Sequence, residues 1–175
     1  MKGTLITLMF LGLVGCGSAN VTPIVQQLVQ PRENRQFTAK VSNIQIVSGE
    51  CAPSSHTAEG PLGTDLTKRQ SRFYCDSAVI TFFDDHKGHV LIQFAQKQAH
   101  HTPILGFAGR IEDDGVMMPV EGVYLTVGQR TTVSEGWCKF FFKNRNMSEI
   151  ACGMKVDETG RRTTAIVAFS ASPGQ

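Results

Sequence analysis

The residues of this 175-residue chain that could do chemistry are mostly thiols, imidazoles and clustered carboxylates. Of the five cysteines, Cys16 follows an N-terminal apolar run, while Cys51, Cys75, Cys138 and Cys152 lie in the body of the chain. Four cysteines in an exported domain read as two disulfides with three possible connectivities. Spacing favours Cys51–Cys75 and Cys138–Cys152. A zinc site is the alternative, but no C-x-x-C pair supports it. His86 and His89, beside Asp84 and Asp85, could join His100 and His101 around a metal ion. The first group also has the composition of a hairpin turn, which needs no metal. Glu112-Asp113-Asp114-Gly115 lacks the spaced ligands of a calcium loop and reads as a solvated turn. No G-x-S-x-G elbow, H-E-x-x-H, P-loop or dinucleotide fingerprint occurs. No catalytic residues, metal ligands or cofactor are therefore assigned. A hydrolase built from scattered residues stays open, because carboxylate spacing becomes visible only in three dimensions.

The N-terminus reads as an address. Lys2 precedes an apolar run, Leu5 to Val14, with the layout of a secretory signal peptide and too short to span a bilayer. The run leads into Leu13-Val14-Gly15-Cys16, which resembles the lipobox of bacterial lipoproteins. That resemblance implies diacylglyceryl transfer to the Cys16 thiol, cleavage just before it, and acylation of the new amine, with palmitate as a marker. It implies anchoring to membrane lipid, and Gly17 in place of Asp implies the periplasmic face of the outer membrane. Several acyl chains hold where one, at ~0.8 kcal/mol per buried methylene, holds only marginally. The competing reading is ordinary secretion, with cleavage after Gly17-Ser18-Ala19 and a soluble product. The chain divides accordingly into a signal peptide (1–15), a lipidated tether (16–36) and a β domain (37–175). A short helix through Ile24, Val25, Leu28 and Val29 and an extended linker are both compatible with the tether.

The elements that must position any site are strands. A composition of 41% apolar and 18% charged residues is that of a globular chain, and 17 Gly with 11 Phe lean towards β structure. A net charge of +2 implies no nucleic-acid partner. Phe37, Ala39 and Val41 alternate, as do Ile44 and Ile46, and the parity change near Ser42-Asn43 predicts a bulge. Residues 48–70 form the longest loop, stapled by Cys51 and the first place to look for a binding surface. Ala78, Ile80 and Phe82 face Val90, Ile92 and Phe94 across a turn at residues 84–88. Leu105, Phe107, Gly109 and Ile111 lead into Val116, Met118 and Val120, with Pro119 marking an edge or bulge. Val123, Leu125 and Val127 read as another strand. A hairpin about Arg145 sets Phe140 against Ile150 and Cys138 against Cys152, at Cα separations a disulfide tolerates. Thr163 to Ser170 form the last strand. The fold class is all-β, an antiparallel meander of eight or nine strands closed as a small barrel or folded as a sandwich.

Three functions follow as expectations. The first is a non-enzymatic envelope lipoprotein that binds an envelope protein partner, as an accessory component or an inhibitor. The alternative is a carrier of small hydrophobic ligands, with Phe82, Phe94, Phe107 and Phe140 either lining a pocket or filling a solid core. The third is the scattered-residue hydrolase. Lys139, Lys143, Arg145, Lys155, Arg161 and Arg162 gather late in the chain, as an anion-binding patch or as solvent-facing strand positions.

Overall fold

A computed structural model describes residues 40–85, 88–95 and 104–173; the expected signal peptide, Cys16 and the tether lie outside them. Among the described residues the chain forms β1 (Val41–Cys51), β2 (His56–Pro61), β3 (Gln70–Arg72), β4 (Ser77–Phe83), β5 (His89–Ala95), β6 (Leu105–Arg110), β7 (Met117–Thr126), β8 (Gln129–Thr132), β9 (Glu135–Lys143), β10 (Asn146–Glu158) and β11 (Arg161–Ala171). A single 3-10 turn, Thr67–Arg69, precedes β3. No helix among these residues is long and apolar enough to cross a membrane.

The fold is an all-β antiparallel barrel. Eight strands run β1-β4-β5-β6-β7-β9-β10-β11, and β11 returns to β1 to close the ring. The extra strands are side ladders: β2 and β3 extend from β11, and β8 pairs with β7. The count exceeds the expected eight or nine because residues 48–70 are not one long loop. They contain β2 and the 3-10 turn and lead into β3, and β8 is a further short strand; against these, Val123 continues β7 rather than starting a new strand.

Alternation builds the core. Ala78 faces Phe94, Ile80 faces Ile92 and Phe82 faces Val90. The next strands carry these rows onward, Phe94 to Leu105, Ile92 to Phe107 and then Val123. On the other wall, Cys138, Cys152 and Val167 form one row, and Phe140, Ile150 and Phe169 another that reaches Cys51. The Phe94 ring joins the two walls, edge-on to Phe107 at 6.0 Å and tilted against Phe169 at 5.8 Å. All three rings are inaccessible or nearly so, and Met118, Val120, Met154 and Val156 belong to the same buried core. The barrel interior is thus a packed core, with Phe94, Phe107 and Phe140 serving as filling rather than pocket lining.

Bulges change the parity of a strand where simple alternation fails. The register of β1 on β4 shifts between Val41 and Asn43, at the expected parity change. That of β6 on β7 shifts after Ala108, so Val120 and Val123 both point inward despite their odd spacing. Leu125 and Val127, which alternate with the buried Val123, are 39% and 77% exposed. The hairpin of β9 and β10 turns in two residues, Asn144 and Arg145, both at positive φ. A shift between Met147 and Glu149 then restores Cys138 opposite Cys152.

Closure is narrow. Only Gly49, Glu50 and Cys51 of β1 pair with β11, against Ala171, Ser170 and Phe169. Gly49 is required there, because a Cβ would stand 2.1 Å from the Ser170 carbonyl oxygen and 2.6 Å from the Phe169 ring. The Cys51–Cys75 disulfide ties β1 to the segment entering β4 at this seam, and Cys138–Cys152 bridges β9 and β10 inside the barrel.

Candidate functional site: a cleft at the barrel mouth

β11 changes partner along its length. Its C-terminal half pairs with β1 and its N-terminal half, Arg161–Ile166, with β2. Between them the backbone of Ala168 needs other partners, since buried polar groups left unpaired are costly. The Ala52 N–H donates to the Ala168 carbonyl at 2.7 Å. The fully buried Ser55 hydroxyl donates to the same carbonyl at 3.2 Å and accepts from the Ala168 N–H at 3.0 Å. Ser55 therefore pins the whole β2–β3 arm to the barrel wall. Its own carbonyl accepts from the Phe73 N–H at 3.0 Å, which carries buried Phe73 inward.

The arm extends the wall past the core and leaves a cleft of about 580 Å³ at the mouth. Its apolar surface comes from Phe73 and Ala58 of the arm and from Ile104, Leu105 and Leu125 of the facing strands. Thr57, Ser71 and Thr163 supply hydroxyls, and Glu59, Arg69 and Arg72 supply charge. The volume lies within the usual range for small-molecule sites, as does the mixture of apolar area with a few polar groups.

The charges are not equivalent. Glu59 is neutralised by Arg161, whose Nε donates to it at 2.7 Å. Arg69 closes the 3-10 turn and has no ion pair among the described residues. Asp65 shapes that turn by accepting from the backbone N–H and hydroxyl of Thr67 at 2.9 and 2.8 Å, and those bonds hold its carboxyl below the ordinary range. The Arg72 guanidinium lies over Tyr74 at 5.1 Å and donates through Nη2 to the Cys51 carbonyl at 3.3 Å. Its Nε is buried without a hydrogen-bond partner among the described residues. The cleft thus presents net positive charge over an apolar floor.

The other candidate residues distribute differently. His89 contacts Asp85 through Nδ1, and its Nε2 lies 3.7 Å from Glu121, which also neighbours Arg110 at 3.6 Å. His86, His100 and His101 lie outside the described residues. Among those described, no group of three or more His, Cys, Asp or Glu side chains is arranged to hold a metal ion. Asp114 performs turn chemistry, accepting from the Val116 and Met117 N–H groups at 2.8 and 3.1 Å. The late basic residues do not pool. Lys155 pairs with Glu135 at 2.6 Å, Arg162 binds Asp157 through two contacts of 2.7 Å, and Lys139 lies 5.2 Å above the Phe141 ring.

The 48–70 segment, expected as a binding surface, supplies Thr57, Ala58, Glu59 and Arg69 to the cleft. Arg72, Phe73, Ile104 and Leu125 were not among the expected site residues. Their local signal is three cations, Lys68, Arg69 and Arg72, beside the aromatic pair Phe73-Tyr74 in an otherwise polar stretch.

No protein-family model and no curated protein matches the chain. Among solved structures, bovine odorant-binding protein in complex with undecanal overlaps at 17% identity and a TM-score of 0.32, covering 71% of this chain and 72% of that one. The same bovine protein with its natural ligand overlaps at 15% identity and a TM-score of 0.32, covering 83% and 79%.

Proposed function

We propose that this protein acts by binding rather than catalysis, and that it carries a small amphipathic ligand in the cleft at the barrel mouth. One observation carries the reading: a filled barrel interior below a cleft whose floor is Phe73, Leu105 and Leu125 and whose rim holds Arg69 and Arg72. An apolar body on that floor leaves water, at ~25 cal/mol per Å² buried. An acidic head on the guanidiniums gains charge-assisted hydrogen bonds. The ligand class is therefore an organic acid with a hydrocarbon body, seated at the mouth and not in the interior.

The test is a fluorescence titration with a fluorophore-labelled medium-chain carboxylic acid and the matching alcohol. The acid binds saturably and more tightly than the alcohol. Arg69→Ala weakens the acid by about tenfold, the size of one charge-assisted contact, and leaves the alcohol unchanged. Leu125→Asp weakens both. Binding that ignores both substitutions, or is absent for both probes, refutes the reading.

The lipid anchor is a separate proposal, resting on Leu13-Val14-Gly15-Cys16. Acyl chains on Cys16 would hold the carrier against the outer membrane. Failure of labelled palmitate to enter the chain, with unchanged fractionation of Cys16→Ser, would remove it.

A further inference from the structure

The narrow closure leaves part of β1 half-paired. Residues Val41 to Ser48 ladder to β4 on one side. On the other side, β11 reaches only Gly49–Cys51, and the Ser172 N–H donates once more to the Ser48 carbonyl at 2.8 Å. Among the described residues, Val41–Val47 therefore has no ladder partner on the edge away from β4. Such an edge invites pairing, and folded proteins usually blunt it with Lys, Pro or an inward charge. This one contains Val-Ser-Asn-Ile-Gln-Ile-Val, with neither charge nor proline. Its outward side chains are also left bare: Ile44 is 55% and Ile46 66% exposed.

We propose that this edge pairs with the same edge of a second copy, making a two-fold dimer with a sheet continuous from barrel to barrel. The occupant follows from the sequence of the edge. Antiparallel self-pairing about Gln45 sets Ile44 opposite Ile46 of the second copy, and Ile46 opposite its Ile44. All four then cover one another on the outer face. A one-residue slip would place these isoleucines against the opposite face, so the register is self-selecting. Asn43 and Val47 face each other across the two-fold on the inner side. With no charge in the segment and a net charge of only +2, little repulsion opposes the pairing. The contact is short, so the dimer is reversible and concentration-dependent.

The experiment uses the full chain with both disulfides intact, carrying Cys16→Ser so that an introduced thiol is the only free one. Analytical ultracentrifugation shows a monomer–dimer equilibrium. Ile44→Lys with Ile46→Lys, at positions already exposed, raises the dissociation constant at least tenfold while the far-ultraviolet circular dichroism stays unchanged. Gln45→Cys oxidises to a covalent dimer, because residues on the two-fold sit about 4.5–5.5 Å apart, within disulfide reach. Val41→Cys does not, because eight residues at ~3.4 Å each separate the two thiols by about 27 Å. A monomer at every concentration, as when the chain's own N-terminal segment covers the edge, overturns the proposal. So does a dimer indifferent to the lysines, or equal cross-linking at positions 41 and 45.

Discussion

The Cys51–Cys75 disulfide should be the strongest single support of barrel closure. Only three residues of β1 pair with β11, and this bridge, spanning a separation of 24 residues, clasps β1 to the start of β4 beside them. In the chain-entropy description, a closed loop of about 25 residues is worth roughly 3.5 kcal/mol at 25 °C. The bridge between Cys138 and Cys152, with a separation of 14, is worth roughly 3 kcal/mol by the same formula. The difference is small, but the contexts diverge. Cys138 and Cys152 lie on adjacent strands already joined by a hairpin and paired from Glu135 to Lys143. Without its bridge the β9–β10 ladder persists, whereas the three-residue seam has little else beside it. Double replacement Cys51→Ala/Cys75→Ala should therefore cost about 3–4 kcal/mol in urea unfolding, a fall in midpoint temperature of roughly 10–14 °C for a domain of this size. Amide exchange should accelerate selectively at Glu50, Cys51, Phe169 and Ser170. A loss below about 1 kcal/mol, or protection at the seam equal to that of the parent chain, would refute the reasoning. So would a larger local loss on removing the Cys138–Cys152 bridge.

Three further outcomes are expected. Arg145→Gly should stabilise the chain by about 0.5–1 kcal/mol in equilibrium unfolding, because Arg145 holds φ at 68° in a two-residue turn that favours Asn-Gly. Phe94→Ala should cost about 3–5 kcal/mol and open a dry apolar void between Phe107 and Phe169; xenon or benzene should enter the variant, as seen by crystallography, and not the parent. Stability should decline as pH falls below about 4. Asp157 is held below its ordinary 3.8 by hydrogen bonds from Arg162, and Glu135 below 4.5 by Lys155. Folded-state values lower than unfolded ones give stabilisation that is present above the unfolded values and lost as each carboxylate protonates. Both pairs are exposed, so the slope of thermal midpoint against pH should flatten in high salt and in Arg162→Gln.

The strands were legible where one face is buried and the partner is near in sequence. Ile80 against Ile92 and Phe140 against Ile150 follow from alternation and a short turn, and both registers appear in the ladders. Alternation failed at Leu125, because a second irregularity, between Tyr124 and Thr126 where β7 pairs with β8, breaks the parity that Val123 sets and leaves Leu125 exposed. It also failed for β2, whose His-Thr-Ala-Glu-Gly-Pro has no apolar alternation. That strand is held by its ladder to β11, more than 90 residues away, and by Ser55 on Ala168, a separation of 113.

The cleft was illegible for the same reason. Its apolar floor brings Phe73 to Leu105 and Leu125, and its rim is set by a strand that has meaning only once β11 is in place. What the structure adds is an imbalance at this mouth: Glu59 has its own cation in Arg161, while Arg69 and Arg72 have no ion pair among the described residues. A hydrated pair of surface arginines needs no further account. Arg72, however, is half-buried, its Nε is buried without a partner among the described residues, and a buried guanidinium donor without an acceptor costs about 1–3 kcal/mol. In the folded chain the Cys51 carbonyl and the Tyr74 ring engage the rest of the guanidinium but not Nε. An acidic ligand that reaches the guanidinium would supply that acceptor, and the same argument fixes the sign of the test. Arg72→Met, similar in length and without the donor, should raise stability in the unliganded chain and weaken the acid. A variant that loses both stability and binding would show that Arg72 serves the Cys51 carbonyl and the Tyr74 ring instead.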